Sequence, residues 1–442
     1  MKKLILLGAG KSATSLIDYL IEQASKFKWL ITVIDSDALL ARAKVGKTPF
    51  ARAETFDIEN DELRAKWISE ADLVISLLPA SLHIKVAKDC IRFKKDLLTA
   101  SYVSSEIAAL KSDIERAGVL FMCEMGLDPG IDHMSAMNIL DSIRRKGGDI
   151  LSYKGYCGAL MAPECDDNPW RYKFSWNPQG VVNAGKDGAS YLAEGREIRV
   201  PYEKLFSDYQ AIEVPGLGKL AYYPNRDSLH YRELYQLEAP LSDILRATLR
   251  YPEFCEGWQA LISLGLTDSR HQTDSDTLSY SDWTLQQVPP GADPAPEERL
   301  AAFLQVSRHA RIMRQFKYLG LLDPERVGLG TASNAEVLRH VLEDGLKMKP
   351  TDRDMVVMLH EMEFERKNIR TKLNAYMIVL GEDNLRTAIA RTVGLPLGIL
   401  SKLILTEKVR MTGLHIPVMQ EVYHPVLKEL EEYGIRFEEF FS

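Results

Sequence analysis

Cysteine is scarce. The 442-residue chain has five, Cys90, Cys123, Cys157, Cys165 and Cys255, and none stands in a CxxC pair. That removes the spacing of a zinc ribbon or a thioredoxin-like site. An odd count without an export leader predicts reduced thiols and a cytoplasmic protein. Positive charge is not in surplus either: 55 Lys+Arg face 62 Asp+Glu, a net charge of −7. A nucleic-acid partner is therefore not expected, although local basic pockets for acidic small molecules remain open. Long apolar runs are missing as well. Leu4-Ile5-Leu6-Leu7 stops at Gly8, too short for an export core, and no stretch approaches the roughly 20 residues that cross a bilayer. No membrane partner is expected, and no internal repeat is visible. What remains, 46% hydrophobic and 26% charged, is an ordinary globular composition of two or three domains.

The first ~125 residues alternate short apolar runs with amphipathic stretches, the pattern of βαβ units around a parallel sheet. Strands are expected at 4–7, 31–34, 54–56, 73–77, 97–99 and 120–122. Helices are expected at 12–24, 38–45, 61–68, 82–91 and 104–117. Continuous apolarity in the strands predicts burial on both faces. Asp128-Pro129-Gly130 then reads as a helix start, with Asp128 as N-cap and Pro129 at N1. Residues 150–236 are rich in Tyr, Gly and Pro with short strand-like pieces, and 241–346 read as helical. Four prolines among residues 289–296 mark an exposed connector inside that helical region. Residues 355–365 and 369–380 flank Lys367-Asn368 as a long hairpin, and the tail from Asn384 is helical in two pieces around Gly394-Leu395-Pro396.

Gly8-Ala9-Gly10-Lys11-Ser12-Ala13 follows a strand and opens a helix, the setting in which GxGxx(G/A) is a dinucleotide fingerprint. The first glycine allows the turn, the second lets backbone approach a pyrophosphate, and Ala13 keeps helix and sheet close. Helix N-terminal N–H groups then face the phosphates. A P-loop reading of Gly10-Lys11-Ser12 fails because Ile5 stands where that motif needs glycine. Asp35 ends the second strand and suits the ribose hydroxyls of NAD while repelling a 2′-phosphate; Arg42 and Lys44 keep NADP open. Asp57-Ile58 are placed to bracket the adenine, and Ser76–Pro79 to border the nicotinamide half.

Beyond the nucleotide, Asp128, Asp132 and His133 lie within six residues at the end of the last strand, where open α/β sheets bind ligands. Asp128 either caps its helix or turns its carboxylate to a substrate ammonium. His133 reads as packed. Arg226, in Pro224-Asn225-Arg226-Asp227-Ser228, and Arg250, in Thr248-Leu249-Arg250-Tyr251, stand among aromatic and turn residues. Both suit fixed guanidinium forks for carboxylates, which would select a substrate with several of them. Trp170 and Trp176 read as core of a structural loop. His360 alternates with Glu361 and Glu363 along a strand, so no metal site is predicted.

These motifs together make the chain resemble the saccharopine reductase family, the glutamate-forming saccharopine dehydrogenases. The stretches are 126–133 (GLDPGIDH), 172–176 (YKFSW), 223–228 (YPNRDS), 248–251 (TLRY) and 391–396 (RTVGLP). The resemblance implies a Rossmann-type parallel-sheet domain (1–128 and about 384–442), a mixed α/β substrate and dimerisation domain (129–240 and about 350–383) and a helical insertion (241–349). It implies oxidative cleavage of saccharopine with NAD(P)+ and water, and a homodimer. It also implies substrate contacts from Ser101, Tyr102, Asp128, Arg226, Thr248, Arg250 and Tyr251. Cofactor contacts would come from Gly8, Ala9, Gly10, Lys11, Ser12, Asp35, Asp57, Ile58, Leu77 and Ser101. Asp128 and Tyr102 are the candidates for the proton steps. One departure stands out: NADP-using relatives tend to carry small or basic residues after the second strand, where this chain has Asp35. Two other readings fit the motifs less fully. One is a reductase of another amino-acid-derived imine, carboxynorspermidine-like or opine-like; the other is an idle NAD(H) binder.

Overall fold

The computed structural model describes residues 1–238, 240–290 and 295–442, and the chain divides into two units, residues 1–150 with 358–442 and residues 151–357. The centre of the proline-rich connector, residues 291–294, lies outside the described residues.

The first unit is built on a parallel sheet. Its strands are β1 (Lys3–Leu7), β2 (Leu30–Asp35), β3 (Ala51–Thr55), β4 (Leu73–Ser76), β5 (Asp96–Thr99) and β6 (Leu120–Met122). Their spatial order is β6-β5-β4-β1-β2-β3, and Gly413–His415 adds a seventh parallel strand beside β6. The helices are α1 (Thr14–Phe27), α2 (Ala38–Val45), α3 (Asp61–Glu70), α4 (His83–Phe93), α5 (Ser105–Ala109), α6 (Lys111–Ala117) and α7 (Ile131–Arg145). β1 is paired on one side with β2 and on the other with β4, so the strand order reverses there; ligands bind beyond the strand ends at such a point. β1 and β4 are buried almost throughout because helices cover both faces.

The third strand departs from the expected 54–56. It runs Ala51–Thr55 with only Ala51 buried, because an edge strand needs no apolar run, and periodicity therefore did not reveal it. The expected helix 104–117 is two helices meeting at Leu110. The C-terminal helix is one piece, Ala388–Leu405, with Pro396 inside it. Pro396 removes one helical hydrogen bond, but packing decides the outcome: a Cβ on Gly394 would lie 2.8 Å from the backbone nitrogen of Leu16 in α1, so the helix lies flush on its neighbour. This buried 18-residue helix is long and apolar enough to cross a membrane by length and composition. Asp354–Arg366 and Ile369–Leu380 form the expected hairpin, with Lys367 and Asn368 at φ of 52° and 62°. Its second strand pairs with Glu438–Phe441.

The second unit carries a mixed sheet. Its strands are β7 (Asp149–Met161, entering from the first unit), β8 (Ala189–Ala193), β9 (Arg196–Val200), β10 (Gln210–Val214), β11 (Gly218–Pro224), β12 (Arg226–Asp227) and β13 (Asp243–Arg250). β10, β11 and β13 are antiparallel neighbours, and β13 runs parallel to β7. Behind it lies an aromatic core containing Trp170, Tyr172, Phe174, Phe254, Trp258 and Trp283. The reading of 241–250 as helical is corrected: Ile244–Ala247, Leu249 and Arg250 are buried in an interior strand. Burial on both faces erased the alternation that would have announced it.

Candidate functional site

In the first unit the site starts from a turn. Gly8 sits at φ +100°, and a Cβ there would lie 2.9 Å from the carbonyl oxygen of Leu77, so glycine is required. Gly8 N–H donates to Ile34 O at 2.8 Å and Leu77 N–H to Leu7 O at 2.8 Å, which ties together the ends of β1, β2 and β4. After Gly10 the chain makes a single tight turn, Lys11–Ala13, before α1 begins. A Cβ on Gly10 would meet no atom within 4 Å. That open space at the start of the helix fits a pyrophosphate.

Asp35 reaches back to this turn. Its Oδ2 accepts from Ala9 N–H at 2.6 Å and its Oδ1 from Asp37 N–H at 2.9 Å. Lys44 donates through Nζ to Gly10 O, and burial pushes its ammonium down to about 8 against the pull of Asp35. Lys11 is exposed and Ser12 half-buried at the start of the helix. Asp57 is exposed, its carboxylate accepting from Glu59 N–H at 2.9 Å, while Ile58 is half-buried and its carbonyl accepts from Arg64 Nη1.

The carboxyl ends of β4 to β6 carry the second cluster. Asp128 is not the N-cap expected of it. The chain folds a tight turn through Gly126–Gly130, α7 starts at Ile131, and Asp132 Oδ1 accepts from Gly130 N–H at 2.6 Å. Gly130 stands at φ +145° with a would-be Cβ 2.1 Å from Gly126 O, so the turn closes on itself with no room for a side chain. Asp128 is left half-buried, with Tyr102 Oη donating to its Oδ1 at 3.3 Å. His133 is packed as expected, but not alone: its Nε2 lies 2.8 Å from Glu124 Oε2. Glu124 also accepts from Val103 N–H, and its own N–H donates to Ser101 O at 3.0 Å, pinning the 101–103 segment.

Two residues of this cluster escaped the sequence. Glu124 announces itself only by φ +58°, which no composition reveals. His83, in the first turn of α4, lies 2.8 Å through Nδ1 from Ser76 Oγ and 2.8 Å through Nε2 from Ser101 Oγ.

In the second unit β13 places Arg246, Thr248 and Arg250 on one face at period two; a helix would have splayed them. Thr248 is paired with Tyr223 across β11, and Ala221 with Arg250. Arg250 is 4% exposed. Its guanidinium lies 5.4 Å from the ring centre of Tyr172 and 5.3 Å from that of Phe254, and Nη1 donates to Leu249 O at 2.8 Å. Its Nε has no hydrogen-bond partner, and no carboxylate ion-pairs with it among the described residues. Tyr251 is buried under the Arg171 guanidinium, 3.7 Å above its ring. Arg226 is exposed at φ +53°, its turn held by Asn225 N–H to Arg246 O at 2.8 Å and Ser228 N–H to Ser190 O at 2.7 Å. Lys173 is buried against Asp167 and Asp352 at 2.7 and 2.8 Å, a structural cluster that ties its loop to a distant segment of the same unit. Within the first unit, His360 is buried with its Nε2 2.7 Å from Ser135 Oγ, while Glu361 and Glu363 are half-buried. Among the described residues no three His, Cys, Asp or Glu side chains gather as a metal site requires.

A glycine turn between β1 and a helix, an acidic end to β2 and a strand-order reversal at β1 define a dinucleotide-binding oxidoreductase fold. Residues 4–122 match the family described as Saccharopine dehydrogenase NADP binding domain, and residues 126–435 match Saccharopine dehydrogenase C-terminal domain. The chain is 33% identical to the Saccharomyces cerevisiae saccharopine dehydrogenase (NADP(+), L-glutamate-forming), covering 99% of both chains. It is also 33% identical to the Arabidopsis thaliana alpha-aminoadipic semialdehyde synthase, over 98% of this chain but 44% of that protein. A solved apo structure of the yeast saccharopine dehydrogenase (L-Glu forming) superposes with a TM-score of 0.88 at 31% identity, covering all of both chains. The chain belongs to the saccharopine dehydrogenase family.

Proposed function

We propose that this chain oxidises saccharopine: saccharopine, NAD(P)+ and water give L-glutamate, 2-aminoadipate 6-semialdehyde, NAD(P)H and a proton. The observation that carries the reading is Arg250, a buried guanidinium without a carboxylate partner among the described residues. Leaving a buried charge uncompensated costs several kcal/mol, which a fold retains where a ligand supplies the counter-charge. Saccharopine offers three carboxylates. The yeast relative named for this reaction aligns over the full length of the chain.

In this proposal Arg250 and Arg226 take substrate carboxylates, while Thr248 and Tyr251 border them. The glycine turn Gly8–Ser12 and Asp35 hold the dinucleotide, with Leu77, Asp57, Ile58 and Ser101 along it. When bound, the dinucleotide accepts the hydride from the carbon beside the secondary amine. The protein's part is orientation, which supplies most of the rate effect. Asp128, hydrogen-bonded to Tyr102, holds the amine as its proton leaves, and the pair serves the later proton steps of water addition and carbinolamine collapse.

For the cofactor we place NAD first. Asp35 presents a fixed carboxylate at the end of β2, which disfavours a 2′-phosphate. The relatives carry NADP(+) in their names, and Lys44 beside Asp35 is the cation that would accept it. The test is absorbance at 340 nm with saccharopine and each cofactor, repeated with Asp35→Ser. The variant is expected to lose preference for NAD by about tenfold in kcat/KM, one charge interaction's worth; an unchanged ratio removes Asp35 from the reading, and silence with both cofactors removes saccharopine. A cytoplasmic homodimer belongs to the same proposal, and its oligomeric state is checked by light scattering.

A further inference from the structure

In the Ser76–His83–Ser101 chain of the first unit, the reaction above leaves His83 without a role. Ser101 is fixed on three sides. Its N–H donates to Thr99 Oγ1 at 3.2 Å, its carbonyl accepts from Glu124 N–H at 3.0 Å, and its hydroxyl lies 2.8 Å from His83 Nε2. The imidazole is fixed in turn by Ser76 Oγ at 2.8 Å from Nδ1, with Thr99 Oγ1 at 3.4 Å from Nε2. It is 5% exposed and no acid is bonded to it among the described residues, so burial pushes it down to about 4 and it stays uncharged in neutral solution. An uncharged imidazole has one N–H and one bare nitrogen. The chain therefore runs in one of two directions; in one of them Nδ1 accepts from Ser76 Oγ and Nε2–H donates to Ser101 Oγ. That arrangement leaves the Ser101 hydroxyl proton free to point away from the imidazole.

We infer that His83 is a positioning residue that aims the Ser101 hydroxyl as a hydrogen-bond donor to a carbonyl or carboxylate oxygen of the bound cofactor or substrate. The inference rests on the reading that places Ser101 at the ligands. It assigns His83 no proton transfer: the imidazole sets a direction and keeps its charge state.

A double-mutant cycle tests it, using His83→Phe, Ser101→Ala, the double variant, and His83→Gln. Each single change to Phe or Ala is expected to lower kcat/KM for saccharopine about tenfold, the loss of one oriented hydrogen bond. The double variant is expected to fall within about threefold of the worse single, because both changes remove the same interaction. His83→Gln, which keeps a donor in the pocket, recovers part of the loss. Independent, multiplying losses in the double variant, or wild-type kinetics in His83→Phe, overturn the inference. A thermal melt on each variant separates misfolding, and if His83→Phe does not fold, the cycle is run with His83→Leu, which also removes the donor. If the wild-type protein does not turn over saccharopine at all, the functional reading falls. The cycle is then read in dinucleotide affinity by fluorescence titration, where the same non-additivity supports the positioning role and additivity rejects it.

Discussion

Two cations in the second unit are equally buried and differently treated. Lys173 and Arg250 are both 4% exposed. Lys173 is clamped between Asp167, in its own loop, and Asp352, far along the chain, so its charge is neutralised inside the fold. Among the described residues, Arg250 has aromatic rings, one backbone carbonyl and an unmatched Nε, with no carboxylate partner. The difference separates a charge matched inside the fold from one that the proposed function assigns to a substrate carboxylate. The first unit adds a third solution in His83, which is buried with hydroxyl partners and kept neutral.

The largest effect expected from breaking this comparison is at Arg250. Arg250→Met should cut kcat/KM for saccharopine roughly 100-fold or more, the loss of two charge-assisted hydrogen bonds. Its Tm should hold or rise, since replacing an uncompensated buried charge with a well-packed apolar chain is neutral or stabilising. A loss of stability with unchanged kinetics would make Arg250 a structural residue like Lys173. Lys173→Met should show the reverse. Stranding Asp352 in the interior is expected to cost about 3 kcal/mol in denaturant unfolding, with dinucleotide affinity unchanged.

The smallest effect, taken per pH unit, is a pH dependence. His83 is depressed from 6.5 to about 4 in the fold. Below pH 6.5 the unfolded chain takes up a proton that the folded chain does not, so stability falls as pH drops and the loss is complete near pH 4. The wild-type protein should lose up to about 1.4 kcal/mol per pH unit more than His83→Gln across that window, measured by urea unfolding. Parallel curves for the two proteins would show that the imidazole charges freely.

The two units also differ in how much of them could be read in advance. Leu4–Leu7, Leu73–Ser76 and the turn at Gly8 were legible because buried parallel strands are short apolar runs and a phosphate turn needs its glycines. β3 was misplaced because an edge strand may be polar, and β13 was mistaken for helix because its two buried faces leave no alternation. Asp128 was legible as a chemical group but not as a geometry. Only the closure of Gly130 onto Gly126 shows that Asp132 takes the backbone N–H and leaves Asp128 facing Tyr102.

By itself, then, the order of residues determined the parallel-sheet domain, its nucleotide turn and the inventory of acids and guanidinium groups, because local spacing governs strands, turns and helix starts. Tertiary structure alone decided which charges are matched and which hydroxyls the imidazole of His83 meets. Partners such as Lys173 and Asp352 are 179 positions apart. No local pattern records a meeting across that length, and the energy of a buried charge depends on little else.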